Sequence, residues 1–335
     1  MRRHLYHLGL GWCLLAAPLA LWDMQGRWAE PERGMVVAFK LWLFWAAWAL
    51  LPWLLALWPK LRQGATSTGQ RWLHCSGLVV LAVAAWAALL EPRLLALHTH
   101  RLAVLPAGAT PLRLALVSDI HVGLFVRAWQ LERLVELLNA QAVDAVVVAG
   151  DWTYAPPLDL QATLAPLARI RHPVWAVLGN HDTQSPGPAL TLALRAALQS
   201  HGVHLLDGQM LRFKGWDIVG LSDLWGGNPH ADIVRCLPPP PLARPRLVLA
   251  HQPDTAALLP ADAATLVLSG HTHGGQIRLP WITQQRVLPG ISAHGWYAGH
   301  YSTPAGALFV STGVGTIGLP ARLGVIPRVD VLQLH

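Results

Sequence analysis

The stretch RLALVSDIH, residues 113–121, runs from an apolar segment straight into two polar side chains. Residues 113–118 have the length and apolar content of a buried strand. Asp119 and His121 follow at the point where this strand ends. An aspartate there suits an ordinary turn, but a carboxylate beside an imidazole also suits a ligand site. Similar strand ends elsewhere in the chain would favour the ligand site.

Four later strands end in the same way. In an open α/β sheet, ligands bind outside the carboxyl ends of the strands, so loops far apart in sequence can converge. The glycines in these loops let backbone and side chains crowd around a small ion. The four polar endings are GDW (150–152), GNHD (179–182), AHQPD (250–254) and SGHTHGG (269–275).

Short apolar runs and amphipathic stretches alternate from about residue 94 onward, which indicates an α/β fold with early βαβ units and a second half richer in strands. The predicted helices are 127–141, 157–170 and 187–200, and Pro166 should bend or shorten the second. The predicted strands are 113–118, 144–149, 174–178, 216–221, 246–250, 265–269, 307–311 and 329–334.

The side chains at the five strand ends form a mixed set of carboxylate, amide and imidazole donors, which suits Mn, Fe, Zn or Mg rather than a thiolate site. Each of these side chains taken alone has an ordinary structural explanation, such as a turn residue or a helix cap. Such explanations do not account for the order and spacing of the whole set. Seven ligands exceed the demand of one ion, so we expect two divalent ions joined by a bridging aspartate. The candidate ligands are Asp119, His121, Asp151, Asn180, His251, His271 and His273.

These five blocks, in this order, resemble the calcineurin-like metallophosphoesterases over about residues 113–334. The resemblance implies a calcineurin-like α/β sandwich of two mixed β-sheets flanked by helices. It assigns Asp151 as the bridge and implies hydrolysis of a phosphoester by a metal-activated hydroxide. By the same resemblance the first metal is held by Asp119, His121, Asp151 and His273, and the second by Asp151, Asn180, His251 and His271.

The resemblance also assigns a catalytic role to His181, as proton donor to the leaving oxygen or as stabiliser of developing charge. Asp182 is then expected to orient the His181 ring by a hydrogen bond. Two loop arginines, Arg278 and Arg322, are predicted to be solvated, with binding of an anionic substrate as the alternative. No serine or cysteine motif points to a covalent nucleophile.

Three apolar runs, 5–22, 41–58 and 72–90, contain no charged residue and approach the length of a membrane-spanning helix. Ten of the 17 tryptophans precede residue 100, several near the ends of these runs, where an indole suits the headgroup zone. Buried core helices, or a signal sequence for the first run, are the alternatives. We therefore expect a helical transmembrane region over residues 1–92 and a metallophosphoesterase domain over residues 93–335.

This reading predicts a multi-pass protein of a bacterial cytoplasmic membrane. The balance of lysine and arginine hardly decides the topology, with a slight preference for a catalytic domain outside. The formal net charge of +7 forms no basic stripe, so nucleic acid is not expected as a partner. The three cysteines provide neither a disulfide framework nor a zinc knuckle.

The predicted anchor favours a lipid-linked substrate, since the active site would lie close to the bilayer. The nearest resemblance is to membrane-associated bacterial enzymes that split the pyrophosphate of UDP-2,3-diacylglucosamine in lipid A biosynthesis. The related soluble pyrophosphatases carry arginine where this chain has His181. An envelope phosphodiesterase acting on other phospholipids or on the cell wall, and a non-catalytic membrane scaffold, are the alternatives.

Overall fold

The computed structural model describes residues 67–182 and 190–335. Most of these residues belong to one compact unit, Pro92–Ile317 together with Arg322–His335. The preceding helix, up to Glu91, and the loop Gly318–Ala321 belong to a second unit. The predicted domain boundary after residue 92 stays a prediction, and the apolar runs 5–22 and 41–58 lie outside the described residues.

The larger unit is built on two six-stranded sheets and a small third one. The first sheet has the strand order β1-β14-β2-β4-β6-β7, the second has β12-β13-β11-β10-β9-β8, and β3 pairs with β5. The strands are β1 (Ala96–Leu102), β2 (Leu112–Val117), β3 (Val122–Gly123), β4 (Ala145–Ala149), β5 (Thr153–Tyr154), β6 (Val174–Val177), β7 (Val203–Leu205), β8 (Gln209–Phe213), β9 (Trp216–Gly220), β10 (Arg246–Leu249), β11 (Leu266–Ser269), β12 (Gly299–Thr303), β13 (Gly306–Val310) and β14 (Arg328–Leu334).

Both large sheets are mixed. In the first, β2, β4, β6 and β7 are parallel, whereas β14 is antiparallel to β2. In the second, β9, β10, β11 and β13 are parallel, and the edge strands β8 and β12 are antiparallel. The central parallel strands are buried along their whole length, which is why they read as continuous apolar runs.

The sheets pack face to face around a shared apolar core that includes Leu114 and Val147 from one sheet and Leu247 and Phe309 from the other. A second core fills the space between the first sheet and its helices. This arrangement confirms the α/β fold with mixed sheets flanked by helices. The helices are α1 (Thr68–Ala85), α2 (Ala128–Asn139), α3 (Leu160–Leu164), α4 (Thr191–Ser200) and α5 (Pro229–Cys236).

All eight predicted strands are present, and none of their ends is displaced by more than one residue. The helix predicted over 157–170 is shortened as expected, because α3 gives way to a 3-10 turn at Ala165–Arg169 that carries Pro166 at its start. Sequence patterns missed β1, β7, β8, β12, the two-residue strands and α5. These elements are short or largely exposed, so they lack a strong apolar period.

The third apolar run coincides with α1, which continues through a π-helical turn, Trp86–Leu90, into a 3-10 turn at Glu91–Arg93. Within residues 67–182 and 190–335, Cys75–Arg93 is the one stretch whose helix length and apolar composition would suit a bilayer. Those two properties alone support a span there. The multi-pass region therefore remains a prediction.

Candidate metal centre

The five polar strand ends meet at one site, because β2, β4 and β6 are parallel in one sheet and β10 and β11 are parallel in the other. Backbone bonds tie the loops together: the Asp119 amide donates to the Gly150 carbonyl at 3.0 Å, and the Gly270 amide donates to the His251 carbonyl at 3.0 Å. The predicted convergence of these loops is present in the structure.

A first group of ligand atoms comes from Asp119, His121 and His273, all buried. The Nε2 atoms of His121 and His273 lie 3.0 Å apart, and their rings are stacked. Oδ1 of Asp119 lies 3.5 Å from Nε2 of His273. One ligand atom from each residue fits within 4.8 Å of the others, which is close enough to share a cation.

A second group comes from Asp151, His251 and His271. Nε2 of His251 is 3.2 Å from Oδ2 of Asp151, and Nδ1 of His271 is 3.3 Å from Nε2 of His251. The side-chain oxygen of Asn180 lies 3.1 Å from both of these ring nitrogens. Asn180 thus joins the group as an oxygen donor.

Asp151 lies between the two groups. Its Oδ2 is 3.2 Å from Nε2 of His251 in the second group and 3.5 Å from Nε2 of His121 in the first. Its Oδ1 accepts the backbone N–H of His181 at 3.0 Å. A carboxylate in this position is the group through which two neighbouring cations could be joined.

Five of the predicted site residues have a left-handed backbone, which is uncommon outside glycine although aspartate and histidine tolerate it better than most residues. The values of φ lie between 49° and 70°. Such strain persists only where the surrounding structure enforces it, and it clusters at functional sites. Here it turns successive side chains toward one point at the strand ends. These residues are Asp119, His121, Asp151, His271 and His273.

Two glycines without left-handed backbone are needed for close approach. A Cβ on Gly179 would lie 2.2 Å from Oδ1 of Asp151. A Cβ on Gly270 would lie 2.6 Å from Oδ2 of Asp119 and 2.5 Å from Cβ of Ser118. Both glycines therefore leave room for carboxylates at the centre of the site.

Burial and neighbouring charges shift the pKa values of the cluster. Burial lowers the pKa of His121 to about 3 and that of His273 well below its ordinary range, so both rings are neutral and able to act as ligands. Burial would raise the pKa of Asp151, but His251 and His121 hold it well below the usual value. The pKa of His251 would be lowered by burial, but Asp151 raises it to about 10.

Nε2 of His251 faces two oxygens, from Asp151 and Asn180, so a positive centre is required between these atoms. Nδ1 of the same ring lies 2.8 Å from the Ala149 carbonyl, an acceptor, so Nδ1 is the donor in that hydrogen bond. A divalent cation would supply the positive centre for the two oxygens and leave Nδ1 as the donor to Ala149. The donor set therefore fits a metal ion.

His181 is half-buried beside the first group. Its ring lies edge-on to those of His121 and Tyr154, with centroids 5.4 and 5.5 Å away. The expected contact between Asp182 and the His181 ring stays a prediction. The hydrogen bonds that the structure shows for its buried carboxylate come from the backbone amides of Trp152, Thr153 and Gly179, at 2.9–3.1 Å, and from the Thr153 hydroxyl. Asp182 thus fixes the loops that carry Asp151 and Asn180.

The prediction that Arg322 is a solvated loop arginine is wrong. Arg322 is fully buried, and its guanidinium donates to the carbonyls of Gly315, Thr312 and Val325. Its Nη2 also lies 3.1 Å from Nδ1 of His273. Arg322 lies in a short segment with glycines and a proline that has no apolar periodicity, so the sequence did not predict that its side chain is buried.

Two aromatic residues near the cluster were not predicted as part of the site. Trp225 is largely exposed and meets the His271 ring edge-on, with centroids 4.7 Å apart. Tyr154 stands edge-on to His121 and His181. Tyr154 belongs to the aromatic and proline-rich segment that follows the GDW block, and this composition is the sequence feature that could have pointed to it. Trp225 follows β9 at a strand end that carries no candidate ligand.

Comparison with known proteins agrees with this geometry. A family model described as calcineurin-like phosphoesterase matches residues 112–275. Phosphodiesterase YaeI of Escherichia coli K12 is 31% identical over 262 residues, covering 73% of this chain and 90% of that protein. The metallophosphoesterase Cj0846 of Campylobacter jejuni is 31% identical, covering 67% of this chain and 59% of that protein. A Bos taurus transmembrane protein with metallophosphoesterase domain is 29% identical, covering 70% of this chain and 54% of that protein.

The matched region extends from β2, which begins at Leu112, to the glycines after His273. It therefore includes all five strand ends and both groups of candidate ligands. The agreement of sequence similarity, fold and donor chemistry confirms the resemblance to the calcineurin-like metallophosphoesterases, whereas the membrane-anchored subtype stays a prediction. The chain belongs to the calcineurin-like phosphoesterase family and is a metal-dependent phosphoester hydrolase.

Proposed function

We propose that the protein is a phosphodiesterase or pyrophosphatase that uses two divalent metal ions. The proposal rests on two adjacent ligand groups with the Asp151 carboxylate between them. Mn, Fe and Zn suit this mixture of imidazole and oxygen donors. The first ion is assigned to Asp119, His121, Asp151 and His273, and the second to Asp151, Asn180, His251 and His271.

When bound, the two ions would supply a water molecule of lowered pKa and neutralise the charge that develops on the phosphoryl oxygens. The chain holds the ligands for this purpose at the ends of buried strands, so their geometry is fixed before substrate arrives. Asp151 keeps its negative charge despite full burial, because His251 and His121 lower its pKa. No serine, cysteine or threonine nucleophile has a place in this scheme.

His181 is assigned as the proton donor to the leaving oxygen. Its backbone N–H is fixed on Oδ1 of Asp151, which places the residue at the edge of both groups. Its ring is only half-buried, so it is accessible to a substrate. A general acid at this position completes the reaction without a covalent intermediate.

We further propose that the substrate is linked to a lipid, with UDP-2,3-diacylglucosamine as the first compound to test. The support is the apolar helix ending at Arg93, which leads directly into β1 of the catalytic unit. One relative is itself named a transmembrane protein. Envelope phosphodiesters are the second candidate, since a catalytic unit outside the membrane would meet them. The retained ligand set argues against a scaffold without activity.

The test is hydrolysis of bis(p-nitrophenyl) phosphate with added Mn by the wild type and by Asp151→Ala and His181→Ala variants. Both substitutions should abolish turnover, while Asp151→Ala should also lower the metal content measured by elemental analysis. Incubation with UDP-2,3-diacylglucosamine and other phosphoesters, followed by mass spectrometry, identifies the substrate. Release of UMP would support the first candidate. Full activity in both variants would contradict the site.

A further inference from the structure

A loop that follows the metal-binding histidines exposes large apolar side chains. Residues 278–287, called here the docking segment, come five residues after His273. Trp281 is 74% exposed and Ile282 is 56% exposed, and Leu279 and Val287 are each 42% exposed. Four large apolar side chains are thus exposed within nine residues, and clustered exposed apolar side chains mark interaction surfaces.

Hydrogen bonds hold the docking segment in its conformation. The Thr283 hydroxyl donates to the Ile277 carbonyl at 2.6 Å and accepts the Leu279 amide at 2.9 Å. The Gln285 amide donates to the Trp281 carbonyl at 2.9 Å. Trp281 has a φ of 61°, a left-handed conformation that is a genuine outlier for a bulky residue. The fold thus maintains strain at the residue whose indole is presented to solvent, which is a pattern found at functional positions.

The base of the docking segment packs on the metal-binding loop. A Cβ on Gly275 would lie 2.7 Å from Cγ2 of Thr283 and 3.1 Å from Cδ2 of Leu288. The Arg278 guanidinium donates to the Gly274 carbonyl at 3.0 Å. Whatever the segment contacts is therefore brought close to His273.

The charged side chains within the docking segment are both basic. No aspartate or glutamate occurs between Asp262 and Asp330, whereas exposed Arg278 and Arg286 flank the apolar residues. The carboxylate of Asp254 is turned toward the Ser292 hydroxyl and the Ala293 amide. Tryptophan and aliphatic side chains bordered by arginine match the interface of an anionic bilayer, in which the indole lies at headgroup depth and the guanidinium contacts lipid phosphate.

We propose that the docking segment inserts into the surface of an anionic lipid bilayer and so holds the metal centre at the membrane. The occupant is a lipid surface rather than a protein, because the patch combines an acid-free stretch with an interfacial tryptophan and because Cys75–Arg93 of the same chain suits a bilayer. This contact is separate from hydrolysis and does not depend on which phosphoester is cleaved.

The full-length chain tests the proposal. Cys13, Cys75 and Cys236 are changed to serine, and an environment-sensitive fluorophore is attached through Trp281→Cys in one protein and Val234→Cys in another. Val234 is the matched control, since it is 88% exposed and apolar but follows Asp232. Each protein is reconstituted in phosphatidylcholine vesicles with and without phosphatidylglycerol, with nitroxide lipids as depth-dependent quenchers.

The label at position 281 should shift to shorter wavelength and be quenched by shallow nitroxides, more strongly with phosphatidylglycerol, whereas the label at 234 should stay in water. Arg286→Gln should lower the inserted-to-free ratio of the segment about fivefold in anionic vesicles. Ile282→Asp, in the protein labelled at 281, should remove the quenching while hydrolysis of bis(p-nitrophenyl) phosphate is unchanged. Equal quenching at both positions, a label at 281 already shielded without lipid, or no quenching at 281 would overturn the proposal.

Discussion

Gly179 offers the sharpest test of the metal centre, because it leaves space for Asp151 without being part of the chemistry. In Gly179→Ala the new Cβ would lie 2.2 Å from Oδ1 of Asp151 and 2.6 Å from its backbone nitrogen. Real Cβ contacts begin at 3.0 Å, so the carboxylate must recede by about 0.8 Å. The backbone nitrogen crowds the same methyl group, so a change of side-chain rotamer cannot relieve the contact.

The expected loss of activity follows from how little the metal–ligand distances in such a site can change. Ligand distances in such sites hold to about 0.2 Å, and a displacement of the predicted size exceeds that several times. A misplacement of about 1 Å can cost on the order of 100-fold in rate. We expect Gly179→Ala to lower kcat/KM by about that factor and to reduce the metal content, while overpacking lowers the free energy of unfolding by about 1–3 kcal/mol.

The assay is the initial rate on bis(p-nitrophenyl) phosphate at several Mn concentrations, with metal content and thermal unfolding measured on the same samples. Gly290→Ala is the matched control, because a Cβ there meets nothing within 4 Å and its backbone is not left-handed. A folded Gly179→Ala protein with wild-type metal content and rate would refute the reasoning. So would an equal loss of activity in Gly290→Ala.

Three further predictions concern stability and metal. Asp182→Ala leaves the buried amides of Trp152, Thr153 and Gly179 without the carboxylate that accepts their hydrogen bonds. The free energy of unfolding in urea should therefore fall by about 3–5 kcal/mol. An unchanged midpoint would contradict the role of Asp182 in fixing these loops. Burial raises the pKa of Asp144, but hydrogen bonds from Lys214 and the Arg113 amide hold it below the ordinary value. The contribution of Asp144 to the free energy of unfolding is therefore present above its pKa in the unfolded chain and is lost as the pH falls through its pKa in the folded protein. Lys214→Ala should therefore lower the free energy of unfolding by about 0–1 kcal/mol at neutral pH and leave it unchanged in acid, where Asp144 is protonated. An equal loss at both pH values would exclude the Lys214–Asp144 ion pair as the cause. Chelation should abolish hydrolysis and lower Tm, and Mn should restore both.

The candidate metal site could be predicted from sequence because its donors follow buried strands directly. Asp119 and Asp151 come two residues after β2 and β4, and His271 comes two residues after β11. Each strand is apolar along its length, so its end is visible in the sequence. The number and type of donors then predicted the metal chemistry, and the structure brings all seven side chains to one place.

Other features left no pattern in the sequence. The roles of Asp182 and Arg322 depend on which backbone amides and carbonyls lie within reach, and those groups belong to loops far away along the chain. The edge strands β1, β8 and β12 are half exposed, so their apolar period is weak. Pairing with a neighbouring strand, rather than their own composition, makes them strands.

The sequence by itself determined the α/β class, the central strands and the donors at their ends, since burial of a strand is recorded in consecutive apolar residues. Only the tertiary structure decided the order of the strands in the two sheets and the distances at which the ligand atoms meet. It also decided that Arg322 is buried and that Trp281 faces solvent. Those outcomes depend on distances between segments that are remote in the chain, and a local pattern of side chains contains no record of them.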